Sequence, residues 1–448
     1  MEKSLPKGWV ETEFANVISV MTNGGNFRQE DIRNKGYYPI SRIETIWNEE
    51  IDLDRVKYAK VTSDDFEKYS LKIGDILFSH INSDKHLGKT AIYKTDVQLV
   101  HGINLLLLRC ETNVLSNYVN YYLRNYRFKG GFLEIAQRSV NQSSINQKKL
   151  SSISFLLPPL SEQERIVAKL DKLFAQHEKI KKALDRIPQL LKSFRQQVLT
   201  QAVTGKLTEQ WREGKDLEEW KERLIKDVAT KLGSGSTPRG GSATYLSEGI
   251  PLVRSMNVIF GGIKLDGLAF INETQAFALK NVEIQFEDIL LNITGASIGR
   301  LCLADQTVTG GRVNQHVFII RPDKEIILPQ YFESYLSSTL VQGFIEEIKY
   351  GAGMEAISKT QIENLQINIP PLEEQQEIVR RVESLFSKAE AIEERYQILK
   401  GKIASLPQAI LHKAFKGELV PQLPTDGDAK DLLAEIMTLK KEVKVKKK

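Results

Sequence analysis

Leu87-Gly88-Lys89-Thr90 contains a Gly-Lys-Thr run, the order in which backbone amides and a lysine can cradle a phosphate. Its surroundings deny that chemistry, because Ser83 stands where the cradling loop needs its first glycine. The glycine-rich run Gly233–Gly241 does not follow a strand with dinucleotide-binding spacing, and it reads as a flexible surface loop. Pro158-Pro159-Leu160 and Pro370-Pro371-Leu372 read as helix entries, not as the Asn/Asp-Pro-Pro-aromatic tetrapeptide of amino-methyltransferases. The histidines lack metal-ligand spacing, and two isolated cysteines, Cys110 and Cys302, cannot build a structural zinc site. What remains is charge. Arg124, Arg127, Lys129, Arg138, Lys148 and Lys149 are opposed only by Glu134, with Tyr126, Phe128 and Phe132 interleaved. The matching stretch, 336–361, sets Glu346, Glu347 and Glu355 against Lys349 and Lys359.

The elements that must position such residues are laid down twice. Residues 158–207 return as 370–419, shifted by 212 without a gap, and self-similarity at a fixed offset decides architecture before any local reading. In the first copy Ile166, Leu170, Leu173, His177, Ile180, Leu184, Ile187 and Leu191 are spaced alternately by four and three residues. Ile378, Val382, Leu385, Ala389, Ile392, Tyr396, Leu399 and Ile403 keep the same phase in the second. Such an a/d seam is the signature of helices paired as a coiled coil, each about 40 residues and roughly 60 Å long. Ser161 and Glu164 have capping-box spacing after the first proline pair, and Gly205 and Gly417 stand where a helix C-terminus favours glycine. Pro188 and Pro407 fall inside the seams at non-equivalent positions, so each rod is expected to bend or break there. His177, on the seam, is expected to be a packed or register-setting polar residue.

Residues 1–157 and 208–369 look like diverged copies of one unit. Tyr38-Pro39-Ile40-Ser41-Arg42 matches Ile250-Pro251-Leu252-Val253-Arg254, and Gly74-Asp75-Ile76-Leu77-Phe78 matches Glu287-Asp288-Ile289-Leu290-Leu291. Ile76–Phe78, Thr90–Tyr93, Leu105–Arg109, Ile289–Asn292 and Val317–Ile320 read as strands, and the segments around 115–128 and 329–348 as helices. The fold class is therefore α+β: two similar strand-rich globular units, each followed by a long helix. The divisions are 1–157, 158–207, 208–369, 370–420 and a basic C-terminal tail, 421–448, whose lysine run 440–448 is expected to be solvated.

At 448 residues the chain is long enough for two or three domains. A net charge of +5 is compatible with nucleic acid without establishing it. No apolar run reaches membrane-spanning length, the first residues lack the form of a secretory signal, and two unpaired thiols suit a reducing cytoplasm.

With these residues in hand, the chain resembles the specificity subunits of type I restriction–modification systems. The twice-present Pro-Pro-Leu-x-Glu-Gln helix start carries the resemblance, with Gly205-Lys206-Leu207 and Gly417-Glu418-Leu419, the paired strand motifs and Gly8-Trp9. It implies a non-catalytic bacterial or archaeal cytoplasmic protein. Two target-recognition domains would each read half of a bipartite, asymmetric site on double-stranded DNA. The two helices would pair antiparallel in a pseudo-twofold internal repeat, set the unread spacer and dock two modification (methyltransferase) subunits. Restriction (motor-nuclease) subunits would complete the complex, which would use S-adenosylmethionine, and ATP with Mg for restriction, none of them held by this chain.

Major-groove readout uses Arg or Lys for guanine and Asn or Gln for adenine, while phosphates take Lys, Arg, Ser or backbone amides. The candidates in the first unit are Arg28, Arg33, Lys35, His80, Asn82, Lys85, Lys89, Arg138, Asn141 and Gln142. Those in the second are Thr237, Arg239, Asn257, Asn292, Thr294, Arg300, Arg312 and Lys349. Arg42 and Arg254, at equivalent positions, suit a shared structural or phosphate role. A protein-binding coiled-coil scaffold and a lone enzyme are the competing readings; the first predicts no salt-dependent DNA affinity, and the second needs a cofactor or metal site.

Overall fold

The computed structural model describes residues 5–140, 142–351 and 356–446. The chain divides into two compact units. Unit 1 is 1–184 with 399–448, and unit 2 is 185–398. Each globular repeat is thus grouped with the start of one long helical segment and the end of the other.

Unit 1 contains β1 (Ile18–Asn23), β2 (Ile76–Phe78), β3 (Ile81–Asn82), β4 (Thr90–Ile92), β5 (Leu106–Cys110), helix α1 (Ser116–Phe128), β6 (Gln137–Ser139), β7 (Gln142–Ser144) and helix α2 (Leu160–Leu184). Its central sheet is antiparallel in the order β1-β5-β2-β4. β2 and most of β5 are buried, which explains their continuous apolar character. Val10–Glu13 pairs with Ser154–Leu157, closing the domain beside the start of α2. Unit 2 follows with α3 (Ile187–Val203), β8 (Ala229–Ser234), β9 (Ile289–Asn292), β10 (Leu301–Leu303), β11 (Val317–Pro322), α4 (Pro329–Leu336), α5 (Thr339–Gly351) and the start of α6 (Leu372–Ala414). Its sheet order, β8-β11-β9-β10, repeats that of unit 1, and Lys221–Leu224 pairs with Gln366–Ile369 as the closing ladder. The expected 329–348 helix is two helices, α4 and α5, parted at Ser337-Ser338.

The repeated motifs become matching side-chain contacts. Arg109 makes a bidentate pair with buried Asp75, at 2.7 Å for both bonds, and Arg321 pairs with buried Asp288 at 2.8 Å for both. The Glu-Gln of each helix start is buried as well. Trp9 Nε1 donates to Glu162 at 2.9 Å and Trp220 Nε1 to Glu374 at 3.0 Å. Gln163 accepts from Leu115 N and donates to Pro158 O; Gln375 accepts from Leu328 N and donates to Pro370 O. The signature that looked like a helix entry therefore fastens a domain to its helix through buried hydrogen bonds, each of which would be costly to leave unmade.

The helices correct several expectations. Segment 158–207 is not one rod: α2 ends at Leu184, and Pro188 lies in the first turn of α3, where its missing amide costs nothing. Pro407, by contrast, lies inside an uninterrupted α6. Ser161 is inside α2 and donates to Asp426 Oδ1 at 3.0 Å, so it is no cap; Pro159 O takes the first helical amides, Glu162 N and Gln163 N, both at 3.0 Å. Gly205 and Gly417 do follow helix ends, with φ of +76° and +72°. Within unit 1, Ile166 and Leu170 share a core with Ile410, Leu411 and Ala414 of α6; within unit 2, Val198, Leu199 and Ala202 share one with Ile378 and Val382. Unit 1 thus joins the start of the first segment to the end of the second, with His177 Nε2 2.9 Å from Ile403 O further along, an antiparallel order; unit 2 joins the end of the first to the start of the second. Leu173 and Leu385 border these cores and Leu191 is buried, but Ile180, Ile392 and Leu399 are 45%, 49% and 46% exposed, and Leu184, Ile187 and Ile403 only half-buried. Seam burial is therefore uneven: His177, Leu191, Ala389 and Tyr396 are buried, whereas Ile180, Ile392 and Leu399 stay exposed.

The C-terminal segment is a helix packed on the domain before its lysine run; in the run Lys441 and Glu442 are exposed as expected, Lys440 is not, and the side chains of 443–448 lie outside the described residues. Ala429–Lys446 forms helix α7, which buries Ala429 and Ile436 in the unit 1 core. Its apolar positions recur at helical spacing, and Lys440 bonds Ala15 O and Ile18 O at 2.6 and 2.9 Å.

Candidate nucleic-acid interface

In unit 1, β3, β6 and β7 form a small antiparallel sheet, with Arg138 opposite Ser143 and Ser143 opposite Asn82. Gln137, Arg138, Ser139, Val140 and Gln142 are all exposed, so the β6–β7 ribbon stands clear of the core. The sequence there lacks the apolar face that would bury it. This sheet brings together Asn82, Arg138 and Gln142, and the loop leaving β3 adds Lys85 and Lys89. Asn141 lies outside the described residues.

Two amides and an imidazole link in a chain, with His80 and Gln147 near the sheet in sequence. Gln147 Nε2 donates to Asn23 Oδ1 at 2.8 Å, and Asn23 Nδ2 lies 3.3 Å from His80 Nε2. His80 is buried, which pushes its imidazole down to about 4 and keeps it neutral, with Nδ1 unpartnered. His80 is thus a buried ring packed against Asn23, unlike the exposed polar side chains of the ribbon. Asn82 spends Nδ2 on Ser79 Oγ at 3.1 Å and Oδ1 on Ser83 N at 2.9 Å. Arg28, Arg33 and Lys35 are exposed on the separate loop 24–36, and the described contacts do not join them to the sheet.

Unit 2 builds a different surface on the same scaffold. Thr237 donates to Gln315, whose Nε2 is 3.0 Å from His316 Nε2, and His316 Nδ1 is 2.5 Å from Thr294 Oγ1. Thr237 and Thr294 thus meet through Gln315 and His316, two residues that in sequence look like no more than the approach to a strand. Arg239 and Arg300 are exposed, and Lys349 lies on α5, its side chain outside the described residues.

Three candidates are corrected by burial. Arg312 is 7% exposed and spends its guanidinium on Ala276 O, Gly310 O and Gly311 O and on Glu283 at 2.8 Å. Asn257 is fully buried, accepting from Arg254 N at 3.1 Å and donating to Lys264 O at 2.9 Å. It is the counterpart of Thr45, which accepts from Arg42 N at 2.9 Å, so both cap the turn after an equivalent arginine. Asn292 is fully buried and donates to Ser255 O at 2.9 Å. Arg42 and Arg254 themselves hold Glu44 and Gly267 O. A Cβ at Gly88, where φ is +73°, would come 2.2 Å from the Phe132 ring, so that loop is closed by packing. Among the described residues no group of His, Cys, Asp and Glu is arranged to hold a metal ion, and no helix is long and apolar enough to cross a membrane.

Comparison with known proteins agrees with this duplicated architecture. The family described as "Type I restriction modification DNA specificity domain" matches twice, over residues 6–189 and 217–400. A protein of Methanocaldococcus jannaschii described as the putative type I restriction enzyme MjaX specificity subunit is 34% identical over 404 residues, covering 89% of this chain and 92% of its own. The EcoKI specificity subunit of Escherichia coli K12 is 29% identical over 432 residues, covering 93% and 90%. Among solved structures, the HsdS subunit from Thermoanaerobacter tengcongensis superposes with a TM-score of 0.61 at 17% identity, covering 93% of this chain and 99% of that one. A chain from a structure describing assembly and conformational transition of the type I restriction–modification system gives 0.64 at 18%, with the same coverage. At those identities the likeness concerns the fold.

Proposed function

The chain belongs to the type I restriction–modification DNA specificity family, and from that premise we propose that it selects the target of such a complex without itself catalysing a reaction. The observation that carries this reading is one scaffold built twice with two different exposed polar surfaces. The Arg–Asp pair, the Trp–Glu contact and the glutamine clasp at each helix start recur in both units, whereas the β6–β7 ribbon of unit 1 and the Thr237–Gln315–His316–Thr294 cluster of unit 2 do not. Two readers of one design with separate surface chemistry suit a bipartite, asymmetric target.

A two-stranded ribbon fits a major groove about 12 Å wide. There Arg138 would take guanine O6 and N7, and Gln142 adenine N6 and N7. In unit 2 Gln315 and Arg239 present the corresponding chemistry. The exposed seam residues Ile180, Ile392 and Leu399 offer apolar surface to two modification subunits, as the resemblance implies. Those subunits would supply S-adenosylmethionine binding and adenine methylation, and motor-nuclease subunits the ATP- and Mg-dependent step, in the cytoplasm.

Methylation mapping tests this directly. In a methylation-free host, this chain with its modification subunit should yield one bipartite motif that is absent without the chain. Replacing residues 1–157 with the corresponding domain of a relative should change one half of that motif. A change in both halves, or in neither, rejects modular readout.

A further inference from the structure

We propose that loop 83–89 of unit 1, fastened by Arg127, is a clamp for the phosphodiester backbone beside the half-site that this unit reads, and that the described residues of unit 2 hold no equivalent. The clamp rests on the DNA-specificity reading above and adds to it a division of labour between backbone grip and base readout.

The loop starts at the edge of the reading sheet, since β3 pairs with β7 and the chain leaves β3 at Ser83. Ser143 of β7 donates to Asp84 at 2.5 Å, tying the loop's only acid back to the ribbon. His86 N and Leu87 N both bond Ser83 O at 2.9 Å, Gly88 N bonds Ser79 O at 2.8 Å, and Leu87 is buried. The loop therefore has one shape. Arg127, from the last turn of α1, donates to Lys85 O at 2.8 Å and to Leu87 O at 3.2 Å. Its guanidinium is spent on backbone and not on a carboxylate, so it orders the loop while leaving its positive charge there uncompensated.

Lys85, His86 and Lys89 sit in that field with no acidic partner among the described residues. Burial lowers the Lys89 ammonium below its ordinary value, and the charges of Arg127 and Lys85 lower it further. His86 is lowered by burial and then by Lys89, Lys85 and Arg127. Cations that repel one another on a fixed loop cost folding free energy, and a phosphate oxygen between them removes that cost. The neighbouring ribbon carries exposed Arg138 and Gln142, so a backbone held by the loop lies next to the groups suited to base edges.

Unit 2 makes the same turn without the charge. There Gln342 Nε2 donates to Gly299 O at 3.0 Å, a neutral amide doing the fastening that Arg127 does in unit 1. The β9–β10 connection, 293–300, is shorter than the β2–β4 connection, 79–89; its cation is Arg300, and α5 presents exposed Glu346 and Glu347. The electrostatic part of binding should therefore be concentrated at one half-site.

The test uses the full complex with modification subunits and a duplex carrying the bipartite target found by methylation mapping. Binding is measured across a salt series for wild type, for the double variant K85Q/K89Q and for R300Q. Wild-type affinity should fall steeply with salt. In K85Q/K89Q the log–log slope should shrink by about 1.8, at about 0.9 for each phosphate no longer neutralised. Affinity should drop by the same factor for the target and for a duplex with the first half-site scrambled, with the methylated sequence unchanged. Phosphate ethylation should stop interfering only beside the first half-site. An unchanged slope, or a changed base preference, overturns the clamp. An R300Q loss as large as that of the double variant overturns the asymmetry. A wild-type complex with no salt-dependent binding and no bipartite methylation would instead reject the DNA-specificity reading itself. The unfolding midpoint of each variant is measured alongside, and K85E, which reverses an exposed charge, should weaken binding more than K85Q at an unchanged midpoint.

Discussion

His177 supplies the hydrogen-bond donor that Pro407 cannot. Pro407 lies inside α6 and has no backbone N–H, so the carbonyl four residues earlier, Ile403 O, loses its helical partner; His177 Nε2 lies 2.9 Å from that oxygen. The seam histidine and the mid-helix proline are one device, which is why α6 continues through the proline. A double-mutant cycle reads it. His177→Leu should cost about 1–2 kcal/mol of unit 1 stability, because the half-buried Ile403 carbonyl loses its donor. In a Pro407→Ala background the amide returns, and the same substitution should cost less than about 0.5 kcal/mol. Equal costs in both backgrounds would mean that the histidine merely fills space.

Glu162 and Glu374 occupy equivalent sites with unequal partners. Glu162 accepts from Trp9 and, at 3.0 Å, from Gln422, both neutral. Glu374 accepts from Trp220, Thr208 and the Arg212 guanidinium, the last at 2.5 Å. Glu374→Gln should therefore cost about 2 kcal/mol of unit 2 stability, and Glu162→Gln less than about 1 kcal/mol in unit 1. Urea unfolding monitored by tryptophan emission makes the comparison; equal losses would show that the charge–charge contact contributes nothing.

Glu333, on α4, gives unit 2 a pH dependence. Burial pushes its carboxyl up from an ordinary 4.5 to about 7. A carboxyl raised in the folded state contributes stability that is complete below 4.5 and is lost as pH rises through about 7. Glu333→Gln should thus stabilise unit 2 by about 2 kcal/mol at pH 8 and be neutral at pH 4. A pH-independent effect would assign Glu333 no proton linkage.

Arg138 and Arg312 separate readout from architecture. Arg138→Ala should leave stability within about 0.5 kcal/mol and relax one base pair of the methylated motif by about 1–3 kcal/mol. Arg312→Ala should cost unit 2 about 3 kcal/mol, since it strands three carbonyls and Glu283, without respecifying the motif. Thermal unfolding and methylation mapping together distinguish the two patterns.

The duplication, the sheet strands and the existence of paired helices were legible in the sequence, because periodicity and self-similarity are properties of the chain alone; which seam positions stay exposed was not. The sequence could not show which polar side chains face inward. Asn257, Asn292 and Arg312 have the composition of base readers, yet they satisfy buried backbone groups, and nothing local distinguishes an asparagine facing a groove from one capping a turn. The repeat itself held a usable signal, since Asn257 aligns with Thr45, a residue of different type and equal capping ability. Pro188 and Pro407 look alike in sequence; only their positions relative to a helix start and to His177 separate a break from a continuous helix.

The basic run at the C-terminus makes a final, contrasting prediction. As a solvated tail or nucleic-acid arm it would act through charge, and its loss would change salt dependence. In the fold its helix acts through packing: Ala429 and Ile436 are buried, Ala429 N bonds Gly8 O at 2.9 Å, and Lys440 reaches Glu111 at 3.1 Å as well as two backbone carbonyls. A charge at position 436 would have to be buried without a partner. Ile436→Asp should therefore destabilise unit 1 by about 3 kcal/mol or more, with unit 2 unaffected. At temperatures where the variant remains folded, the salt slope of DNA binding should match wild type. A reduced slope with unchanged stability would return the segment to the role of a charged arm.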